Sequence, residues 1–168
     1  MENRIYNFNP GPAMQPLEVL QEAQAEFLNF AESGMSIIEI SHRSKQYEQV
    51  HNQAKADIKE LMGLGDDYEV LFCQGGASMQ FTMIPQNFAV DGKVGNYVLS
   101  GSFATKAYDE AKLLNRGFVA ASSKDRDFKH IPTQDEIKLS DNAAYLHLCY
   151  NNTIYGTEWN YIPESNGV

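Results

Sequence analysis

The sequence predicts an α/β protein built on a mostly parallel sheet. Two patterns and one quantity carry this expectation. From residue 68 onward, apolar runs of strand length alternate with segments of helical period, which is the pattern of right-handed βαβ units. Glycine-containing turns follow two of those runs, at Gly75-Gly76 and at Gly101. The length of 168 residues, 43% of them hydrophobic, is enough to bury one sizeable core.

The elements are expected in the following order. Residues 1–15 read as an N-terminal arm, because Pro10 and Pro12 exclude a helix interior. Residues 16–168 read as one domain. Pro16 suits a first helical turn, and Leu17, Leu20, Gln24, Phe27, Leu28 and Ala31 follow at helical spacing until Gly34. The stretch Ile37-Ile-Glu-Ile-Ser-His-Arg43 is β-branched and reads as a strand or extended segment. A helix should begin after the N-cap Ser44, carry the stripe Tyr47, Val50, His51, Ala54, Ile58, Leu61 and Met62, and end at Gly63. Strands are expected at 68–73, 96–100, 117–121 and 143–149, with helices at about 76–86, 103–114 and 133–139.

Charge and cysteine content narrow the function classes. Thirteen Lys plus Arg against 22 Asp plus Glu give a formal charge of −9, which disfavours nucleic acid or an anionic membrane surface as partner. No apolar run approaches the roughly 20 residues of a membrane span, and the first residues lack the apolar centre of a signal peptide. Cys73 and Cys149 form neither a metal-ligand spacing nor a disulfide framework. A cytoplasmic, metal-free protein is the expectation.

Ligands of open α/β sheets bind outside the carboxyl ends of the strands, so four strand-end or helix-start segments are candidates. Gly75-Gly76-Ala77-Ser78 opens a helix, where free N–H groups and a hydroxyl suit a phosphate; the alternative is a bare βα turn. It lacks the third glycine of a dinucleotide fingerprint and the Lys of a P-loop. Phe103 either stacks on a planar heterocycle or is a core residue at a helix start. Asn151-Asn152-Thr153 can hydrogen-bond ring substituents or cap a turn. His42 and Arg43 offer an imidazole and a bidentate guanidinium for a carboxylate or phosphate, or are a packed His and a solvated Arg. His51 and His147 read as structural, and Lys106 as a solvated surface residue.

Together, Asn7-Phe-Asn-Pro-Gly-Pro12, Glu39-Ile-Ser-His-Arg-Ser44, Phe72-Cys-Gln-Gly-Gly-Ala-Ser78 and Cys149-Tyr-Asn-Asn-Thr-Ile-Tyr-Gly156 resemble the phosphoserine aminotransferases. These are fold-type I enzymes dependent on pyridoxal 5'-phosphate, and the resemblance runs over essentially the whole chain. It implies that residues 16–168 are the N-terminal portion of the cofactor-binding large domain, a three-layer αβα fold with a mostly parallel sheet, in truncated form. It implies that Ala77 and Ser78 hold the cofactor phosphate, that Phe103 takes the place of an aromatic, usually Trp, that stacks on the pyridine ring, and that Thr153 bonds its phenolic oxygen. His42 and Arg43 would bind the acidic group of the substrate. The implied reaction moves an amino group between L-glutamate and 3-phosphohydroxypyruvate, giving phosphoserine and 2-oxoglutarate, in a homodimer. The resemblance places the Schiff-base Lys beyond residue 168, so no catalytic residue is expected within this chain and the chain alone is expected to be inactive. A non-catalytic anion-binding α/β module is the alternative from another class.

Overall fold

The computed structural model describes residues 4–9 and 11–168. The expectations for Met1–Asn3 and for Pro10 lie outside the described residues. The chain divides after Phe72 into two compact units.

The first unit contains helices α1 (Leu17–Glu26) and α2 (Lys45–Met62). The first helix is shorter than its apolar spacing suggests. Asn29 breaks away from helical geometry, and its Oδ1 accepts the Gly34 N–H at 2.7 Å. A 3-10 turn, Phe30–Glu32, follows, with Ala31 in the left-handed region at φ 47°. An Asn side chain bonding to nearby backbone offers the chain an alternative to the next helical turn. Residues 37–43 form turns and not the expected extended segment. The Ser36 N–H donates to Glu39 Oε2 at 3.0 Å, the Glu39 N–H to the Ser36 carbonyl at 2.9 Å, and the Arg43 N–H to Ser41 Oγ at 3.2 Å. Local partners take up part of this backbone's hydrogen bonding, so β-branched composition alone does not extend it.

The second helix follows its sequence signals at both ends. Ser44 is extended, and its Oγ accepts the Tyr47 N–H at 3.2 Å. Gly63 is left-handed at φ 63°, and the Leu64 N–H reaches back to the Lys59 carbonyl at 2.9 Å. Lys55 pairs with Glu69 and lowers the pKa of that carboxyl. No residue of α2 is fully buried, and Leu61 and Met62 are exposed. The core of this unit is thin, with Ile40 its buried apolar residue. The expected strand at 68–73 does not form, and no described strand pairs with these residues. Its Leu71 and Phe72 are exposed.

The second unit holds the parallel sheet. Helix α3 (Gly76–Phe88) precedes strand β1 (Val94–Leu99); α4 (Ser102–Leu113), β2 (Gly117–Ser122) and β3 (Ala143–His147) follow. The order is β2-β1-β3, all parallel, with Tyr97 opposite Val119 on one side and His147 on the other. The central strand β1 is buried on both faces, as its apolar run requires. On one face α4 presents Ala104, Ala107 and Ala111, each almost fully buried. Those small side chains let the helix lie close to the sheet, and a Cβ on Gly117 would come within 3.1 Å of the Tyr108 ring. Helix α3 packs beside α4 through a 2.8 Å hydrogen bond from Thr82 to Glu110, and Arg116 donates to its terminal Pro85 carbonyl at 3.1 Å.

The opposite face is covered by irregular chain. Val98, Ala120, Ile137 and Trp159 form its core, with Leu146 and Tyr161 packed against them. The helix expected at 133–139 contracts to a 3-10 turn, Gln134–Glu136. The Thr133 N–H donates to Glu136 at 2.7 Å and is the main cause holding that carboxyl below its ordinary pKa. Asn96 clamps this segment, its Nδ2 donating to Ser140 Oγ at 2.9 Å and its Oδ1 accepting the Ser140 N–H at 2.8 Å. A short antiparallel hairpin, β4 (Asn151–Asn152) and β5 (Thr157–Glu158), follows β3 and is not foreshadowed by any alternation in the sequence. None of the described helices is long and apolar enough to cross a membrane.

Candidate functional site

Gly75 and Gly76 both lie in the left-handed region, at φ 78° and 59°, and turn the chain into α3. A Cβ on Gly75 would collide with the Met79 side chain, so this position needs glycine on two counts. No side chain caps the helix. The N–H groups of its first turn have no intrahelical acceptor, and they carry the positive end of the helix dipole. Ala77 and Ser78 stand in that first turn and are exposed.

Phe103 is the second residue of α4, 39% exposed. Lys106 is exposed, as its reading as a solvated surface residue expects, and its ammonium lies 5.3 Å from the centre of the Phe103 ring. Phe103 shares a cavity of about 250 Å³ with Phe81 of α3 and with His147, Leu148, Cys149 and Tyr150 at the carboxyl end of β3. The walls are uncharged. Burial pushes the His147 imidazole below its ordinary pKa and the Cys149 thiol above its own. His147 stands against the Tyr97 ring at 5.1 Å and the Phe81 ring at 6.2 Å, and its Nδ1 is buried without a protein partner. It is packed, as its place in a strand suggests, but it also faces this cavity.

Thr153 is the first residue of the loop joining β4 to β5 and is exposed. The Tyr155 and Gly156 N–H groups close that loop on the Asn152 carbonyl at 3.1 and 2.8 Å. The structure therefore gathers the Phe103 and β3-end residues around one cavity and sets Thr153 on a hairpin beside it in sequence.

In the first unit, His42 and Arg43 lie on the turn that Ser44 closes into α2. They line a groove of about 630 Å³ with Tyr47, Glu48, His51 and Asn52. His51 stacks on Tyr47 at 6.1 Å and meets Phe72 edge-on at 5.2 Å. The sequence reading missed its place in the groove, although the signal was available: His51 lies four residues after Tyr47 on the same helical face. The groove offers a guanidinium and imidazoles suited to an anion, tempered by the Glu48 carboxylate. Among the described residues no group of three or more His, Cys, Asp or Glu side chains is placed to hold a metal ion.

Residues 5–166 match the family model described as Aminotransferase class-V. The chain is 55% identical, over all of its length, to a phosphoserine aminotransferase of Desulfosudis oleivorans, and covers 46% of that protein. It is 50% identical over 96% of its length to the phosphoserine aminotransferase of Bacillus subtilis, covering 45% of it. Its structure is similar, with a TM-score of 0.84 and 53% identity, to a phosphoserine aminotransferase from Bacillus circulans subsp. alkalophilus, over 96% of this chain and 45% of that one. A structure of pyridoxal phosphate-bound phosphoserine aminotransferase from Trichomonas vaginalis matches with a TM-score of 0.82 at 39% identity, over 96% of this chain and 48% of that one. The chain thus spans less than half the length of the relatives it matches.

Proposed function

The chain belongs to the class-V aminotransferase family, and from that membership we propose that it is the N-terminal portion of a phosphoserine aminotransferase. In this reading residues 1–15 are an arm and residues 16–168 are part of the cofactor-binding large domain. The whole protein is a cytoplasmic homodimer in serine biosynthesis that exchanges an amino group between L-glutamate and 3-phosphohydroxypyruvate, giving phosphoserine and 2-oxoglutarate. The observation that carries this reading is the uncapped, doubly left-handed start of α3 in the same unit as an uncharged aromatic cavity.

These residues fit pyridoxal 5'-phosphate. A phosphate dianion suits the exposed N–H groups at Ala77 and Ser78, with the Ser78 hydroxyl adding one donor. A planar ring suits the exposed edge of the cavity at Phe103. The Thr153 hydroxyl is the donor for the ring's phenolic oxygen. When bound, the cofactor supplies the electron sink for amino transfer. The protein's part is to hold that ring, exclude water from its apolar face, and orient the substrate. His42 and Arg43 take the substrate's acidic group, the phosphate of phosphoserine or the side-chain carboxylate of glutamate, and Arg43 does so through its two-pronged guanidinium.

Arg43→Lys in the longer protein tests the substrate half of this reading. A hydrogen bond to a charged group is worth about 1.5–3 kcal/mol, so kcat/KM for phosphoserine should fall roughly 10- to 150-fold. The value for a neutral amino acid should change little, and Arg43→Ala should be worse than Arg43→Lys. Equal losses for both substrates would make Arg43 a structural residue and return the groove to an unassigned anion site.

A further inference from the structure

We infer that Asn152 is a positioning residue that fixes the ring-stacking Phe103 and the phenol-binding Thr153 relative to each other; this rests on the cofactor reading above. Asn152 is 3% exposed and sits where two segments meet. One is the exit of β1, where Ser100 and Gly101 lead into α4 and place Phe103 as its second residue. The other is the β4–β5 hairpin, which places Thr153 directly after Asn152.

The carboxamide works in both directions. Ser100 Oγ donates to Asn152 Oδ1 at 3.3 Å, and Asn152 Nδ2 donates to Thr157 Oγ1 at 3.1 Å across the hairpin. The main-chain carbonyl of Asn152 accepts from the Tyr155 and Gly156 N–H groups, closing the Thr153 loop. The side chain thereby ties the α4 entrance to the hairpin while the backbone shapes the loop. Only an amide of this length offers both an acceptor and a donor here.

Gly101 gives independent support. Its φ of 175° is ordinary extended backbone, so conformation does not require glycine. Space does: a Cβ at 101 would lie 2.6 Å from Asn152 Oδ1 and 3.1 Å from its Cγ. The backbone before α4 is thus open to the Asn152 side chain and to no bulkier contact. A weaker second link, from Ser102 Oγ to the Tyr155 hydroxyl at 3.5 Å, joins the same two segments. Loss of the Asn152 bridge frees the hairpin to shift against α4, and Thr153 and Phe103 then no longer grip one ring together.

The test uses the cofactor-free full-length protein and pyridoxine 5'-phosphate, which lacks the aldehyde and so reports non-covalent contacts alone. Asn152→Ala should raise the dissociation constant about tenfold, the effect of losing one buried hydrogen-bonded bridge. Thr157→Val keeps the hairpin's shape, removes only the Nδ2 acceptor, and should raise the constant severalfold; it carries the test if Asn152→Ala does not fold. Because Asn152 acts through Thr153, the double variant Asn152→Ala/Thr153→Ala should bind within about twofold of the weaker single variant. A purely structural Asn152 predicts instead that the two losses multiply, and that result would overturn the inference. So would unchanged binding in Asn152→Ala and Thr157→Val while Thr153→Ala and Phe103→Ala both weaken it. If Thr153→Ala and Phe103→Ala leave binding unchanged, the cofactor reading itself fails, and the inference with it.

Discussion

At the scale of single residues, the candidate site joins groups that a linear reading can see with groups it cannot. Gly75, Gly76 and Ser78 are legible because turn chemistry and helix starts are local. His147 is not: its strand pattern indicates packing, but its position in a cavity depends on Phe81 and Tyr97, which lie far from it in sequence. Asn152 shows the same limit, since its partner Ser100 is 52 residues away. His147 also carries a pH prediction. Its folded pKa is depressed by burial below the ordinary 6.5, so the unfolded chain binds its proton more readily. The stability that neutral His147 contributes is present above about pH 6.5 and is lost as pH falls through the lower folded value. The melting temperature should therefore decline below pH 6.5, and His147→Asn should decline less over the same range. Parallel curves for the two proteins would show that His147 titrates normally in the fold.

At the scale of elements, the segments that form as read are those whose signals are self-contained. Helix α2 has a serine cap, a left-handed glycine stop and a continuous helical stripe, and it runs between them. Strand β1 is an apolar run flanked by neighbours on both sides, and it pairs with both. Residues 68–73 have the same apolar composition but no described partner, and a strand is defined by its partner. Residues 37–43 fail for a different reason, because Ser36, Glu39 and Ser41 supply hydrogen bonds locally. The β4–β5 hairpin is two residues per strand, too short for any period to register. The caps of α2 predict its local stability. Ser44→Ala removes the bond to the Tyr47 N–H at a cost of about 1 kcal/mol, and Gly63→Ala forces a Cβ into the left-handed region at a cost of roughly 1–2 kcal/mol. The two sites stand at opposite ends of the helix, so their costs should add. Hydrogen exchange of the α2 amides should speed up about fivefold for Ser44→Ala and multiply further in the double variant. Unchanged protection would mean that packing, and not the caps, holds the helix.

At the scale of the whole molecule, the second unit holds a three-stranded parallel sheet with α3 and α4 on one face, and the first holds the groove of His42 and Arg43. The α/β class was legible in the alternation of periods, since a parallel neighbour requires a crossover and a crossover requires a helix. The chemistry proposed for the site rests on residues at strand ends taken together with a family resemblance, because no single motif here specifies a ligand. In the proposed function, the start of α3 serves as a phosphate cradle. The direct measurement compares pyridoxine 5'-phosphate with pyridoxine, which has no phosphate, binding to the full-length cofactor-free protein and to its Ser78→Ala variant. One charge-assisted hydrogen bond among several is worth about 1–2 kcal/mol, so Ser78→Ala should weaken the phosphorylated ligand roughly 5- to 30-fold and leave pyridoxine unchanged. Equal affinity of both proteins for pyridoxine 5'-phosphate, or an equal loss for the two ligands, would contradict it.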